Sequence, residues 1–188
     1  MRIDKSKTIV VTGGAGYIGS HIVLGLLDAG YEVVVVDKDK VACDYLIKRQ
    51  SRRKRLKVYN ADITNDVYMD GIFKNHDVGA VCHCAAYISV PESVDNPLKY
   101  YENNTAKTIN LLHRMKKNNI NVFLFASTAA VYGEPNGEEP ISEKTLCHPI
   151  NAYGESKLMV ETILRKHALT HPNFRYVSFR FFNVAGND

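Results

Sequence analysis

The sequence predicts an α/β domain, a doubly wound parallel sheet with helices on both faces, on three observations. Short, continuously apolar runs recur along the chain and alternate with segments of helical periodicity. A glycine triplet, Gly13, Gly16 and Gly19, sits directly between the first apolar run and the first helical segment. A length of 188 residues, 45% hydrophobic and 23% charged, suits a single ordered domain with a sizeable core, here taken as residues 1–188.

The elements follow in order. "KTIVVTG" is apolar without alternation, as a strand buried on both faces is, and "IGSHIVLGLLDAG" repeats apolar residues at helical spacing. "YEVVVVD" and "VACDYLIKRQ" form the second strand and helix, and "LKVYNAD" and "NDVYMDGIFKNH" the third. "GAVCHCAA" is the fourth strand. The long helix "NPLKYYENNTAKTINLLHRMKKNN" comes next, opened by Asn96-Pro97 as a cap and a first-turn proline. "NVFLFAST" and "RYVSFRFF" are the last two strands, separated by the helix "NAYGESKLMVETILRKHALTH". Gly133 to Pro149 is irregular and rich in Pro, Gly and Glu, and a loop of that length in a compact domain is functional or mobile. Regular strand–helix alternation implies right-handed crossovers between parallel strands.

Composition excludes several classes. Much of the net charge of +4 lies in "KRQSRRKRLK". With no aromatic or base-reading motif beside it, this reads as a solvated helix end and loop, so no nucleic-acid partner is expected. The opening "MRIDKSKTIVVTGG" is too short an apolar run for a leader or a membrane span. Four cysteines in a chain of this length without a leader do not form a disulfide framework, and the chain reads as reduced and cytoplasmic. Cys82, His83 and Cys84 lie on a strand that points His83 away from both cysteines, with no second ligand pair at zinc spacing, so no metal is expected.

Positive features concentrate in two places. In "VVTGGAGYIGS", Gly13 permits a tight turn, Gly16 lets a pyrophosphate approach the backbone, and Gly19 allows close helix packing. Asp37 closes the second strand at the separation where a carboxylate holds ribose hydroxyls, which favours NAD over NADP; Lys38 and Lys40 weigh the other way. Asp62, at the end of the third strand, is either a contact near the adenine or a cap for the following helix. The second place is "PINAYGESKLMVE", where Tyr153 and Lys157 share a helix face. A cation beside a phenol lowers its pKa toward the working pH and makes it a base. Ser127 and Thr128 end the fifth strand, and either hydroxyl could bind a substrate oxygen that Tyr153 deprotonates.

"TGGAGYIGS", "SVDNPLKYYENNTAKTINLL", "STAAVYGEP", "NAYGESK" and "RFFNVAG" together resemble the extended short-chain dehydrogenase/reductase family and, within it, the UDP-glucose 4-epimerases. The resemblance covers nearly the whole chain and implies a Rossmann sheet. Tyr153 is then the base, Lys157 holds the nicotinamide ribose and tunes Tyr153, and Thr128 occupies the catalytic Ser/Thr position. It further implies NAD contacts from Tyr17, Ile18, Asp37, Asp62, Ile63, Cys84, Ala85, Ala86, Tyr87, Ile88, Asn103 and Phe182. Thr128, Tyr153 and Asn183 contact the UDP-hexose. The implied reaction removes the sugar 4-hydroxyl proton and a C4 hydride, then returns the hydride to the other face.

Ala129 and Ala130 stand where related 4,6-dehydratases carry acidic residues, which favours epimerisation. Ile88 replaces a lysine found in several epimerases. Members of the family continue past the point corresponding to Asp188 into a lobe that grips the nucleotide, so the chain alone is expected to be inactive. Helices 97–117 and 151–170 resemble those that pair in the family's homodimer. The alternatives are a UDP-glucuronate 4-epimerase or decarboxylase, and a non-catalytic NAD-binding paralogue.

Overall fold

A computed structural model describes residues 3–134 and 140–186. Six strands form one parallel sheet: β1 (Thr8–Thr12), β2 (Glu32–Asp37), β3 (Leu56–Asn60), β4 (Val78–His83), β5 (Val122–Thr128) and β6 (Arg175–Phe181). Their order is β3-β2-β1-β4-β5-β6, every pair parallel. All six expected strands are present. The chain winds outward in one direction from β1 to β3, then crosses back to β4 and winds the other way. The crevice between the carboxyl ends of β1 and β4 is therefore where such a sheet receives ligands.

Helices cover both faces because strand side chains alternate. Val10, Val34, Val36, Val81, Phe123 and Phe125 face α3 (Asp66–Asn75), α6 (Lys107–Lys117) and α7 (Ala152–Thr170). Ile9, Val11, Val33, Val35 and Cys82 face α1 (Tyr17–Asp28) and α2 (Lys40–Arg49). Both cores are apolar, so at roughly 25 cal/mol per Å² their burial is the main stabilising term. On β6 the second face is bare: Val177 and Phe179 are 39% and 43% exposed.

Where periodicity was ambiguous the structure adds detail. The long fourth helix is three pieces: α5 (Pro97–Tyr100), a π-helical turn at Tyr101–Ala106, and α6. Pro97 does sit in the first turn, but Asn96 makes no side-chain capping bond. A short α4 (Val90–Asp95) precedes it, capped by Ser89 on the Glu92 amide; the Ser-x-x-Glu spacing was its signal. A 3₁₀ turn at Ala129–Tyr132 follows β5. The irregular 133–149 stretch lies partly outside the described residues, at 135–139; the remainder has no regular element. In the basic segment Arg53 pairs with Asp28 and Arg55 donates to the Gly30 carbonyl at 2.9 Å, so part of it is tied to the fold. Among the described residues no helix is long and apolar enough to cross a membrane.

Gly13 and Gly19, which flank the turn after β1, admit no side chain. Gly13 has φ +66°, and a Cβ there would lie 2.5 Å from the Ala85 nitrogen. A Cβ on Gly19 would lie 2.1 Å from the Gly13 carbonyl oxygen. Backbone cannot yield as a flexible side chain does, so Gly19→Ala should lower unfolding free energy by about 1–3 kcal/mol. Urea denaturation monitored by circular dichroism measures this; an unchanged midpoint would show that the turn relaxes freely.

Candidate active site

The carboxyl ends of β1, β2 and β4 enclose a cleft of about 350 Å³. Its walls include Gly13, Gly16, Tyr17, Ile18, Gly19, Asp37, Lys38, Asp62, Ile63, Cys84, Ala85, Ala86, Ile88 and Asn103. These were expected from the sequence to meet a cofactor, and the fold brings them to one place.

The cleft floor is the start of α1. Gly16 caps this helix without a side-chain hydrogen bond, and its first turn has no acidic residue. The first amide N–H groups and the positive end of the helix dipole therefore face the cleft, an arrangement suited to a diphosphate. Gly16 itself is crowded by little: a Cβ would meet only the Gly13 oxygen, at 3.4 Å. No protein atom demands glycine there, whereas a phosphate approaching the backbone would. Opposite, Asp37 accepts from the Ala15 amide at 3.1 Å and the Asp39 amide at 3.0 Å. Those bonds fix the carboxylate at the tip of β2 within reach of a ribose diol. Together these features fit a dinucleotide.

The two lysines after Asp37 are engaged by other side chains. Lys38 donates to the Tyr87 hydroxyl at 2.8 Å, with its ammonium 4.2 Å from that ring. Lys40 pairs with Asp44 at 2.5 Å. Tyr87 thus holds Lys38 at the rim; it does not line the cleft itself. Lys38 first, and Lys99 and Lys107 more weakly, draw the Tyr87 phenol below its ordinary pKa despite some burial.

Asp62 resolves into neither a bare contact nor a helix cap. Asn65 caps α3, accepting from the Tyr68 amide. Asp62 lines the cleft, accepts from the Thr64 amide and hydroxyl at 2.9 and 2.8 Å, and pairs with Lys107 at 2.8 Å. Burial raises its carboxyl, but Lys107 and Thr64 outweigh that and hold it below the usual range. Lys107 was not foreseen; it opens α6 directly after the π-helical turn, which the periodicity does not reveal.

Beyond the cleft lies the hydroxyl-and-amine group. Ser127 and Thr128 point to opposite faces of β5. Ser127 donates to Glu161 at 2.5 Å, and Glu161 is held by Arg180 at 2.7 Å. Thr128 is the hydroxyl beside Tyr153, and it also accepts from the Ala130 amide at 3.1 Å. Burial pushes the Tyr153 phenol above its ordinary value, with Thr128 acting in the opposite direction.

Lys157 departs from the expectation of direct tuning. Its side chain runs inward beneath Phe125, and its ammonium donates to the Ala126 carbonyl at 2.9 Å rather than to the phenol. Burial pulls Lys157 down to about 8. Phe182 is exposed and borders a second hollow, of about 570 Å³, beside Arg180; Asn183 is exposed after β6. The structure does not bring these two to the dinucleotide cleft.

A buried polar chain anchors this region. His83 bonds Thr12 Oγ1 through Nδ1 at 2.6 Å and Thr108 Oγ1 through Nε2 at 2.8 Å. Thr108 spends its proton on the Asn104 carbonyl, so His83 carries its hydrogen on Nε2 and accepts from Thr12 on Nδ1. Burial first, then Lys157, holds His83 down to about 3, so it stays neutral. Asn104 in turn bonds both the amide and the carbonyl of Tyr87, and the Ser156 hydroxyl. Ser156 donates to the Tyr153 carbonyl at 2.7 Å. From the sequence His83 is only a strand residue pointing away from the two cysteines; its role as a bridge depends on contacts 25 and 71 residues away.

The model of the NAD dependent epimerase/dehydratase family matches residues 9–188. The UDP-glucose 4-epimerase of Streptococcus mutans is 46% identical over 179 residues, covering 95% of this chain and 52% of the relative. That of Azospirillum brasilense is 43% identical, covering 97% and 51%. Among solved structures, the UDP-Glc/GlcNAc 4-epimerase of Campylobacter jejuni superposes with a TM-score of 0.89 at 39% identity, covering 95% of this chain and 54% of that one. The Bifidobacterium longum UDP-glucose 4-epimerase, solved with NAD+ and UDP, gives 0.86 at 38% identity, covering 94% and 53%. The chain spans about half the length of the curated relatives it matches.

The buried lysine generates a prediction. An unfolded lysine titrates near 10.5, so between about 8 and 10.5 the unfolded chain binds this proton more tightly than the folded one. The folded state is penalised below pH 8, and the penalty fades as pH rises toward 10.5. Lys157→Met should therefore stabilise the chain at pH 7, on the order of 2 kcal/mol before the loss of the Ala126 bond is subtracted. The gain should shrink by pH 10. Urea midpoints of both proteins at the two pH values test this; a gain that is constant with pH would show that charge burial is not its source.

Proposed function

We propose that this chain, which belongs to the NAD dependent epimerase/dehydratase family, is the NAD-binding, catalytic half of a UDP-glucose 4-epimerase. The observation that carries this reading is the open N-terminus of α1 at Gly16, facing Asp37 across one cleft. The helix amides would hold the diphosphate and Asp37 the adenosine ribose, with Asp62, Ile63 and the Cys84–Ile88 wall around the rest. Relatives solved with NAD support the choice of cofactor.

Bound there, NAD would supply a reversible hydride acceptor for the sugar's C4. The chain's own part is proton handling and exclusion of water. Tyr153 takes the 4-hydroxyl proton and returns it, while Thr128 holds the same oxygen. Tyr153 is buried and raised at rest, so it needs a stabilised phenolate to work as a base. Lys157, with an ammonium poised near neutrality, is the nearby source of positive charge. Ala129 and Ala130 carry no acid or base, so the ketone intermediate can only be reduced again.

The remaining assignments stand as parts of the same proposal. Asn183 and Phe182 serve the sugar nucleotide and the cofactor only once a further lobe folds over β6. Leu98 and Leu169, exposed at 78% and 73%, lie on the helices assigned to a homodimer face. A reducing, cytoplasmic setting suits four free thiols.

Calorimetric titration should show NAD binding more tightly than NADP, because Asp37 repels the added phosphate while Tyr87 detains Lys38. Asp37→Asn should narrow the gap, and Tyr87→Phe should narrow it too, by freeing Lys38. Equal affinities in the unaltered chain would overturn the assignment of Asp37. The isolated chain should bind NAD yet convert UDP-galactose to UDP-glucose negligibly. The few sugar contacts available here do not offset the entropy of fixing the substrate. Robust turnover would show that the second lobe is dispensable.

A further inference from the structure

One thiol on the inner wall of the cleft and a second beside it have no chemical step in epimerisation. Cys82 is buried in β4, and Cys84 follows just past the strand end; their sulfurs stand 3.9 Å apart. Cys84 lines the cleft, so a small solute in it reaches one thiol and has the other directly behind. Lys157 is buried alongside, with no carboxylate paired to it among the described residues; its hydrogen bond goes to a carbonyl, and Cys84 is the ionisable group whose charge favours its ammonium.

The four cysteines differ accordingly. Burial, with Asp37, pushes Cys43 up to about 11, and burial also raises Cys147. Cys82 is raised because it donates to Cys84 and is buried. Cys84 alone is lowered, first by the Cys82 bond and then by Lys157, against burial. A thiolate on the cleft side and a thiol behind it is the pairing that attacking and resolving cysteines need.

We propose that Cys84 is an oxidation site for hydroperoxides, resolved by Cys82 into an intramolecular disulfide that disables the dinucleotide cleft. The consequence for the cleft rests on the NAD reading above; the thiol chemistry does not. In the first step the Cys84 thiolate attacks one peroxide oxygen and the O–O bond breaks. Sulfur is oxidised by two electrons to S–OH, and the second oxygen leaves as alkoxide or hydroxide and is protonated. In the second step Cys82 loses its proton and attacks the Cys84 sulfur. The S–S bond forms, the S–O bond breaks, and the hydroxide leaves with that proton as water.

Closing the sulfurs from 3.9 Å to about 2.05 Å pulls on the chain at Cys84. The backbone of Cys84 and Ala85 is packed against Gly13 too tightly to admit a carbon atom, at 2.5 to 2.8 Å from an added Cβ. A shift at Cys84 is therefore transmitted to the glycine turn that shapes the cleft floor. Bound dinucleotide, conversely, covers Cys84.

The test treats the 188-residue chain with hydrogen peroxide, with and without saturating NAD, and maps the cysteines by mass spectrometry without reductant. The peptide holding Cys82 and Cys84 should lose two hydrogens before Cys43 or Cys147 changes, and NAD should slow this about tenfold or more. The oxidised chain should bind NAD at least tenfold more weakly by calorimetry, and dithiothreitol should restore it. Cys82→Ser should instead leave a Cys84 sulfenic acid that dimedone traps, and Lys157→Met should slow oxidation severalfold. Prior oxidation of Cys43 or Cys147, or a disulfide that leaves NAD affinity unchanged, would overturn the proposal. If the reduced chain binds no NAD at all, the reading of the cleft fails; the order of thiol oxidation, read from the masses, still decides the fate of the cysteine pair.

Discussion

Three backbones meet at Gly13 with no room between them for a carbon atom. The end of β1, the first turn of α1 and the segment after β4 all close on this residue, and a Cβ on Gly19 would reach its carbonyl at 2.1 Å. Gly13 donates to the Val36 carbonyl at 2.8 Å, tying the same turn to β2. The cleft exists because this contact is so close. It sets where the helix amides point, how near Asp37 lies, and how the Cys84–Ala86 wall stands against both. Any atom added at Gly13 or Gly19 would have to separate elements that the sheet holds together.

The tyrosine helix is positioned by different means. Aliphatic packing fixes α7 against the sheet, but many nearby rotations would bury Val160 and Leu164 equally well. The polar chain from Thr12 through His83, Thr108 and Asn104 to Ser156 and the Tyr153 carbonyl selects one of them. Each of its buried groups loses about 1–3 kcal/mol if left without a partner. That directional penalty, which apolar contact lacks, explains why the π-helical turn persists inside a long helix. The turn faces Asn104 toward Tyr87 and Ser156 and brings Lys107 to Asp62.

The six strands were legible because parallel strands buried on both faces read as unbroken apolar runs, as "EVVVV" does. The glycine turn and Asp37 were legible because their chemistry is local. What stayed hidden was set by distance in the chain. Nothing around Lys157 indicates that it reaches the Ala126 carbonyl; i,i+4 spacing implied only that it neighbours Tyr153. Ser127 and Thr128 were equivalent as letters, and strand alternation together with Glu161 separated them. Asp62 looked like a cap because Asn65, the residue that performs that role, also begins a helix well. Phe182 and Asn183 were assigned by resemblance to surroundings that the residues of this chain do not supply.

Among the described residues the outer edge of β6 is unpaired. It offers a row of backbone donors and acceptors, flanked by Val177, Phe179 and Phe182 in the open. Short edges defended by charge or proline resist pairing with other chains, yet only Arg175 and Arg180 interrupt this one, and Arg180 is occupied by Glu161. An apolar sheet edge of this kind is what chaperones retain and what seeds strand-to-strand association as concentration rises. Whatever pairs with that edge, further chain or a second molecule, removes the hazard.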